Sequence, residues 1–203
     1  MTQAILLSGG MDSVALAAWK RPAHAITIDY GQIPAPGEIR AARKVSEVLG
    51  IQHHIIIIDC SSLGSGDMAG LPAIPAAPVS EWWPFRNQLL VTFGAMKAIA
   101  LGANELLCGS VKTDAEHVDG TSPFYAEIDK LISMQEGAIR VCVPAIEFTT
   151  TQLIRASGVD LSLLAWCHSC HVNEYACGKC RGCRKRLGVL SELGYQDALI
   201  ENS

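Results

Sequence analysis

Residues 4–7 form a short apolar run that stops at Ser8-Gly9-Gly10-Met11-Asp12-Ser13, and a helical pattern begins at once around residues 14–19. This feature narrows the fold more than any other. A strand that turns through adjacent glycines into a helix belongs to chains whose helices return them to a parallel sheet. The turn also has a chemistry. Two glycines let the backbone approach an anion, Ser8 and Ser13 add hydroxyls, and the first turn of the helix adds amides with no partner of their own. That combination suits a pyrophosphate group. The segment is not a Walker A loop, because no Gly-Lys-Ser/Thr follows, and it lacks the Gly-x-Gly-x-x-Gly of dinucleotide folds.

The alternation continues. Residues 25–28 are a second apolar run, ending at Asp29-Tyr30-Gly31. Ile39, Ala42, Val45, Val48 and Leu49 recur at helical spacing over residues 38–49, with Gly50 as a stop. Residues 54–58 are β-branched and read as a third strand. A buried helix is expected over residues 86–101, a fourth strand over 105–108, a helix over 124–134 and a fifth strand over 138–143. The fold class is therefore α/β, a Rossmann-like parallel sheet with helices on both faces. Residues 60–84 are dense in Gly, Pro, Ser and Ala without periodicity, and read as a long loop over an active site. The expected division is a domain at 1–157 that carries the glycine turn and a cysteine-rich region at 158–203, the latter expected to bind metal.

The character of the chain changes in that second region. Cys167-His168-Ser169-Cys170-His171 is followed by Cys177-Gly178-Lys179-Cys180-Arg181-Gly182-Cys183. Overlapping Cys-x-x-Cys pairs bring thiolates to one ion through tight turns. Cys177, Cys180 and Cys183 are three ligands. The fourth comes from Cys167, His168, Cys170 or His171, and Cys170 is the choice. Four cysteines leave no open position, so the expected ion is a structural Zn²⁺, with an iron-sulfur cluster as the lesser alternative. Cys60, Cys108 and Cys142 end apolar runs and read as small core residues. His24, His53 and His54 flank strands and receive no chemistry.

Composition sets the class of partner. The net charge of -4 argues against a globally basic nucleic-acid binder, although Lys179, Arg181, Arg184, Lys185 and Arg186 cluster beside the cysteines. The plain reading of that cluster is a solvated helix face; the other is a knuckle that docks tRNA for a modifying enzyme. No stretch is long and apolar enough to span a bilayer, since residues 89–101 are too few and carry Lys97. The beginning of the chain carries no leader pattern, which points to the cytoplasm and to reduced thiols.

Ser8-Gly9-Gly10-x-Asp12-Ser13 resembles the signature of the PP-loop ATP-pyrophosphatase superfamily. Joined to the cysteine pattern, it resembles more narrowly the 7-cyano-7-deazaguanine synthase family of queuosine-pathway biosynthesis. Further matches are Asp29-Tyr30-Gly31-Gln32, Pro84-Phe85-Arg86-Asn87, Gly109 with Asp114, Asp119 with Phe124, and Trp166 with Ser169 and Cys170. The resemblance implies an adenine nucleotide alpha hydrolase-like fold and an AMP-forming ligase. It would use ATP and Mg²⁺ to adenylate 7-carboxy-7-deazaguanine for attack by ammonia, giving the amide and then the nitrile. Ser8, Gly9, Gly10, Asp12, Ser13, Asp29 and Tyr30 are implied to bind ATP, with Asp12, Ser13, Arg86 and Asp114 taking part in the chemistry. Asn87 and Asp119 are implied to bind the heterocycle, and Trp82, Trp83, Phe85 and Phe124 to stack on it. A homodimer is implied as well.

The chain departs from that family in three places. Its Arg-His pair after Asp-Tyr-Gly-Gln is replaced by Ile33-Pro34, with Glu38 one residue late. Its Thr-Lys appears as Thr149-Thr150, and its Asp-Cys-Arg as Asp119-Gly120-Thr121. Relatives of the family in bacterial anti-phage defence imply an alternative, in which the activated deazaguanine is joined as an amide to an amine of a partner protein.

Overall fold

The computed structural model describes residues 2–195; Met1 and residues 196–203, the end of the expected zinc-binding region, lie outside it. Its centre is a five-stranded parallel sheet. The strands are β1 (Gln3–Leu6), β2 (His24–Asp29), β3 (Gln52–Ile57), β4 (Glu105–Leu107) and β5 (Arg140–Cys142), in the order β3-β2-β1-β4-β5. All five apolar runs become strands because they are short, β-branched or aliphatic, and bounded by turn residues.

Both faces of the sheet are covered, as the continuous apolar runs require. Alternate residues serve opposite cores. Ile5, Leu7, Ala25 and Leu107 pack with Val14, Leu16, Val45 and Leu153. Ala4, Ile26, Ile28, Leu106 and Val141 pack with Val91, Ala95, Ala98 and Ile128. Helices α1 (Met11–Lys20), α2 (Ala35–Leu49) and α5 (Thr150–Ser157) therefore cover the first face, and α3 (Arg86–Ala100) and α4 (Ser122–Ser133) the second. The short α6 (Leu161–Leu164) and the late α7 (Arg181–Glu192) add Leu163, Leu164, Val189 and Leu190 to the first core, so the cysteine-rich region shares its packing with α1.

Helix α3 corrects one expectation. It is not buried all round: Val91, Gly94, Ala95 and Ala98 face the sheet, while Met96 and Ile99 are exposed. Residues 60–84 are a loop, as expected, but one with internal order. It contains two single 3₁₀ turns, Ser61–Leu63 and Asp67–Ala69. Asp67 N–H donates to Ser80 O at 2.8 Å and Ser80 Oγ donates to Asp67 Oδ2 at 2.6 Å. The loop closes on itself there, and Ile33 N–H holds it to the end of β2 by donating to Met68 O at 2.8 Å.

The strand order places the site. Helical connections leave β1 and β4 in opposite directions, so their carboxyl ends flank a crevice where a ligand meets no crossing chain. The glycine turn follows β1, and Gly109, Ser110 and Asp114 follow β4.

Candidate nucleotide site and metal centre

The turn after β1 leaves the first amides of α1 without a side-chain cap. Gly9 has φ +78, and a Cβ there would lie 2.7 Å from Ala41 Cβ and 2.9 Å from Glu38 O. No other residue type fits that turn against α2 without displacement. Gly10 is the N-cap of α1 and offers no side chain, so the first-turn amides have no capping partner. Ser13 Oγ donates to Gly10 O at 3.0 Å and lies 3.3 Å from Ser8 Oγ.

These groups face a cavity of about 300 Å³ lined by Ser8, Gly10, Asp12, Ser13, Tyr30, Arg86, Asn87 and Asp114, among others. A wider opening of about 570 Å³ adjoins it and shares Arg86, Asn87, Asp114 and Lys185. The larger volume falls within the usual range for a ligand cleft. His168 Nε2 and His171 Nδ1 are buried without a hydrogen-bond partner, and both residues line the cavity. Polar groups in that condition are ready to meet a polar ligand.

Two charged clusters flank the turn. On one side Lys185 Nζ, from α7, lies 3.1 Å from Asp12 Oδ2 and 3.2 Å from Asp114 Oδ1. Burial raises the Asp12 carboxyl above its ordinary value, and the Lys185 ammonium draws it back part of the way. On the other side, Gln32 Nε2 donates to Glu38 Oε2 at 2.7 Å, and Gln32 Oε1 accepts from Tyr30 N–H at 2.8 Å. Burial pushes the Glu38 carboxyl up to about 7, against the bond from Gln32 and the charge of Arg86. Burial likewise works against the Arg86 charge, but Tyr30, Asp119, Glu38 and Asp114 around it outweigh that.

The metal centre lies beside the cavity. The Sγ atoms of Cys170, Cys177, Cys180 and Cys183 all lie within 4.8 Å of one another, with 3.9 Å between Cys177 and Cys183 and between Cys170 and Cys180. A tetrahedral ion with metal–sulfur bonds of ~2.3 Å requires sulfur–sulfur edges of about 3.8 Å. The set fits one ion, whereas a cluster that gives each thiolate its own iron needs the sulfurs further apart. Backbone N–H groups donate to these sulfurs: His171 to Cys180 at 3.4 Å, Cys180 to Cys177 at 3.3 Å and Cys183 to Cys180 at 3.4 Å. Burial opposes the Cys177 thiolate, but the Lys179 and Cys180 amides prevail and bring it down to about 6. Gly182 is required here, because a Cβ would lie 1.9 Å from Ser169 O. Cys167 stands apart in the core against α1, its thiol pushed up to about 12 by burial.

The cysteine centre is fastened to the glycine turn and to α2. His168 N–H donates to Gly9 O at 2.9 Å. Arg40 on α2 donates to Glu174 O at 2.7 Å and lies 4.7 Å over the Tyr175 ring. Arg181 pairs with Glu81 of the long loop at 2.9 Å and also with Glu116. The basic cluster is thus not simply a solvated face: Arg181 and Lys185 are engaged inside the molecule.

Other expected site residues fall elsewhere. Asp29 accepts from Gly31 N–H at 3.0 Å and is not among the cavity-lining residues. Trp83 is buried edge-on against Tyr30, with ring centroids 4.9 Å apart. Phe85 is exposed with φ 55, and Phe124 packs edge-on against Tyr125 at 5.5 Å. Asp119 accepts from Asn87 N–H at 3.2 Å, and its carbonyl from Asn87 Nδ2 at 2.9 Å, so it serves the start of α3. Among the described residues Cys60 and Cys108 are buried and Cys142 is partly so. His24 and His54 face each other at 3.3 Å across β2 and β3, and His53 meets Thr27 Oγ1 at 2.8 Å. The sequence offered His168 and His171 only as alternatives for the fourth metal ligand, Lys185 only within the basic cluster and Glu38 only as a displaced family position, and placed none of them at the cavity. Only the helical position of Lys185, two residues past a ligand cysteine, offered a signal.

Comparison with known proteins agrees with this arrangement. Residues 2–194 match the family model described as queuosine biosynthesis protein QueC. The chain is 32% identical to the 7-cyano-7-deazaguanine synthase of Stenotrophomonas maltophilia, over 97% of each chain. It is 31% identical to that of Paramagnetospirillum magneticum, over 95% of each. Among solved structures, the U34-tRNA thiolase NcsA from Methanococcus maripaludis, with its [4Fe-4S] cluster, superposes with a TM-score of 0.54 at 16% identity. That match covers 95% of this chain and 66% of the thiolase, and it carries the fold alone.

Proposed function

The chain belongs to the QueC family of queuosine biosynthesis proteins, and from that premise we propose that it is an ATP-dependent, AMP-forming 7-cyano-7-deazaguanine synthase. The observation that supports this most is the uncapped start of α1, opened by Gly9 and Gly10 at the β1/β4 crevice and ringed by Asp12, Asp114, Arg86 and Lys185. The substrate is a carboxy-deazaguanine, and the chemistry needs a leaving group. The carboxylate oxygen attacks the α-phosphorus of ATP and pyrophosphate departs. Ammonia then attacks the acyl carbon, AMP leaves, and the amide forms. A second ATP activates the amide oxygen, and loss of AMP gives the nitrile.

The protein's part is positioning and charge. Ser8, Ser13 and the amides of the glycine turn hold the phosphates. Asp12 and Asp114 offer hard oxygens to Mg²⁺. Arg86 and Asn87 lie on the substrate side of the cavity, and Tyr30 walls it. Cys170, Cys177, Cys180 and Cys183 hold one Zn²⁺ with every position filled, so the ion braces the fold and takes no part in the reaction. Among the described residues no helix is long and apolar enough to cross a membrane. We place the protein in the cytoplasm, as a homodimer whose substrate is a small molecule rather than a nucleic acid.

The test is metal-loaded protein with ATP, Mg²⁺ and 7-carboxy-7-deazaguanine, followed by mass spectrometry after ammonia is added. AMP, pyrophosphate and the nitrile are expected. A folded, metal-loaded protein that forms no AMP with this substrate overturns the proposal. An amide without nitrile, or mass added to a partner protein's amine, would assign the adenylation to the conjugating reaction instead.

A further inference from the structure

The geometry points to Lys185 as a nucleotide-phosphate-binding residue, supplied to the glycine turn by the helix that the metal centre organises. The inference rests on the ATP reading above and adds to it the source of the cation. A turn of amides and hydroxyls lowers the energy of an anion but does not balance its charge. Around this turn the near walls other than α7 are acidic or neutral. Asp12 and Asp114 contribute carboxylates, and α5 enters the cavity with the hydroxyl of Thr150 and no cation. Arg86 sits on the far side, among Tyr30, Glu38 and Asp119.

The cations on the near side are Lys185 and Arg186 of α7, and Lys185 is the one whose ammonium contacts both carboxylates. It reaches Asp12, the second residue of α1, across 173 residues of sequence, and Asp114 after β4 across 71. It also lines both the inner cavity and the wider opening. Its position is fixed from behind. The Cys180 side chain caps α7 by accepting from Cys183 N–H, Val189 and Leu190 bury the next turns in the core shared with α1 and α5, and Lys185 lies between those anchors. A flexible ammonium held at its base can turn from the two carboxylates to a phosphate when a divalent cation takes the carboxylates over. The metal site would thereby influence nucleotide affinity without touching the nucleotide.

The experiment measures calorimetric affinities for a non-hydrolysable ATP analogue with Mg²⁺ and, separately, for adenosine. The proteins are the wild type, Lys185→Met and the double variant Lys185→Met/Thr150→Lys, with metal content and melting temperature recorded for each. Lys185→Met is expected to keep its metal, weaken the ATP analogue about tenfold or more and leave adenosine within about twofold. The double variant, which returns an ammonium from the α5 wall, is expected to recover part of the loss. A Lys185→Met protein that binds the analogue as the wild type does, or loses analogue and adenosine equally, overturns the inference. So does a double variant as weak as the single one. A wild type that binds no ATP analogue overturns the ATP reading together with it.

Discussion

Glu38 shows how much one position depends on its surroundings. Its carboxyl belongs to the start of α2, beside the glycine turn, and burial lifts it to about 7 from a model-peptide value of 4.5. Between those values the folded chain binds a proton that the unfolded chain has released. Stability therefore falls as pH rises through that window, by no more than about 3 kcal/mol. Glu38→Gln keeps the bond to Gln32 with no charge to bury. It is expected to be the more stable protein at pH 8 and to match the wild type near pH 4.5. Urea denaturation of both proteins across that range checks this; a difference that does not change with pH overturns it. At this scale legibility followed sequence distance. Ser8, Gly10, Asp12 and Ser13 were readable because one turn brings them together. Glu38 and Lys185 were not, because their neighbours come from other elements. Asp119 was expected to bind the heterocycle, and its bond from Asn87 N–H was not legible, because that partner lies 32 residues away.

Among the elements, the five strands and α1 to α4 were readable to within about three residues of their ends, since short apolar runs separated by 3.6-residue patterns have few other solutions, whereas α5, α6 and α7 carried no such pattern. The exposure of α3 was not readable. Its apolar residues surround the helix, and only the sheet decides which of them face inward. The cysteine knuckle offered four residues for its fourth ligand, with Cys170 the choice, and the fold brings Cys170 Sγ within 4.8 Å of the other three. Cys170→Ser is accordingly expected to lose the ion and melt lower, whereas Cys167→Ser keeps one ion per chain. Elemental analysis of the purified variants checks this, and loss of metal from Cys167→Ser would overturn the ligand assignment.

For the whole molecule, a parallel sheet covered on both faces was expected from the sequence, while the strand order emerges only in the fold. The second face of the sheet leaves Met96 and Ile99 on α3 and Leu131 and Met134 at the end of α4 exposed. Scattered apolar exposure is ordinary, but these four lie on neighbouring helices, and such groupings mark contact surfaces. If the homodimer forms there, the wild type sediments as a dimer at micromolar concentration and Met96→Glu as a monomer. A wild-type monomer, or a Met96→Glu dimer of equal strength, overturns the assignment.

The bond from His168 N–H to Gly9 O has a consequence for the order in which the protein comes into being. The glycine turn leaves the ribosome well before its supports: the knuckle, α7 and the ammonium that reaches Asp12 across 173 residues. A nascent chain therefore carries an unfinished turn until that later segment has emerged. Closure of the knuckle is the event that completes it.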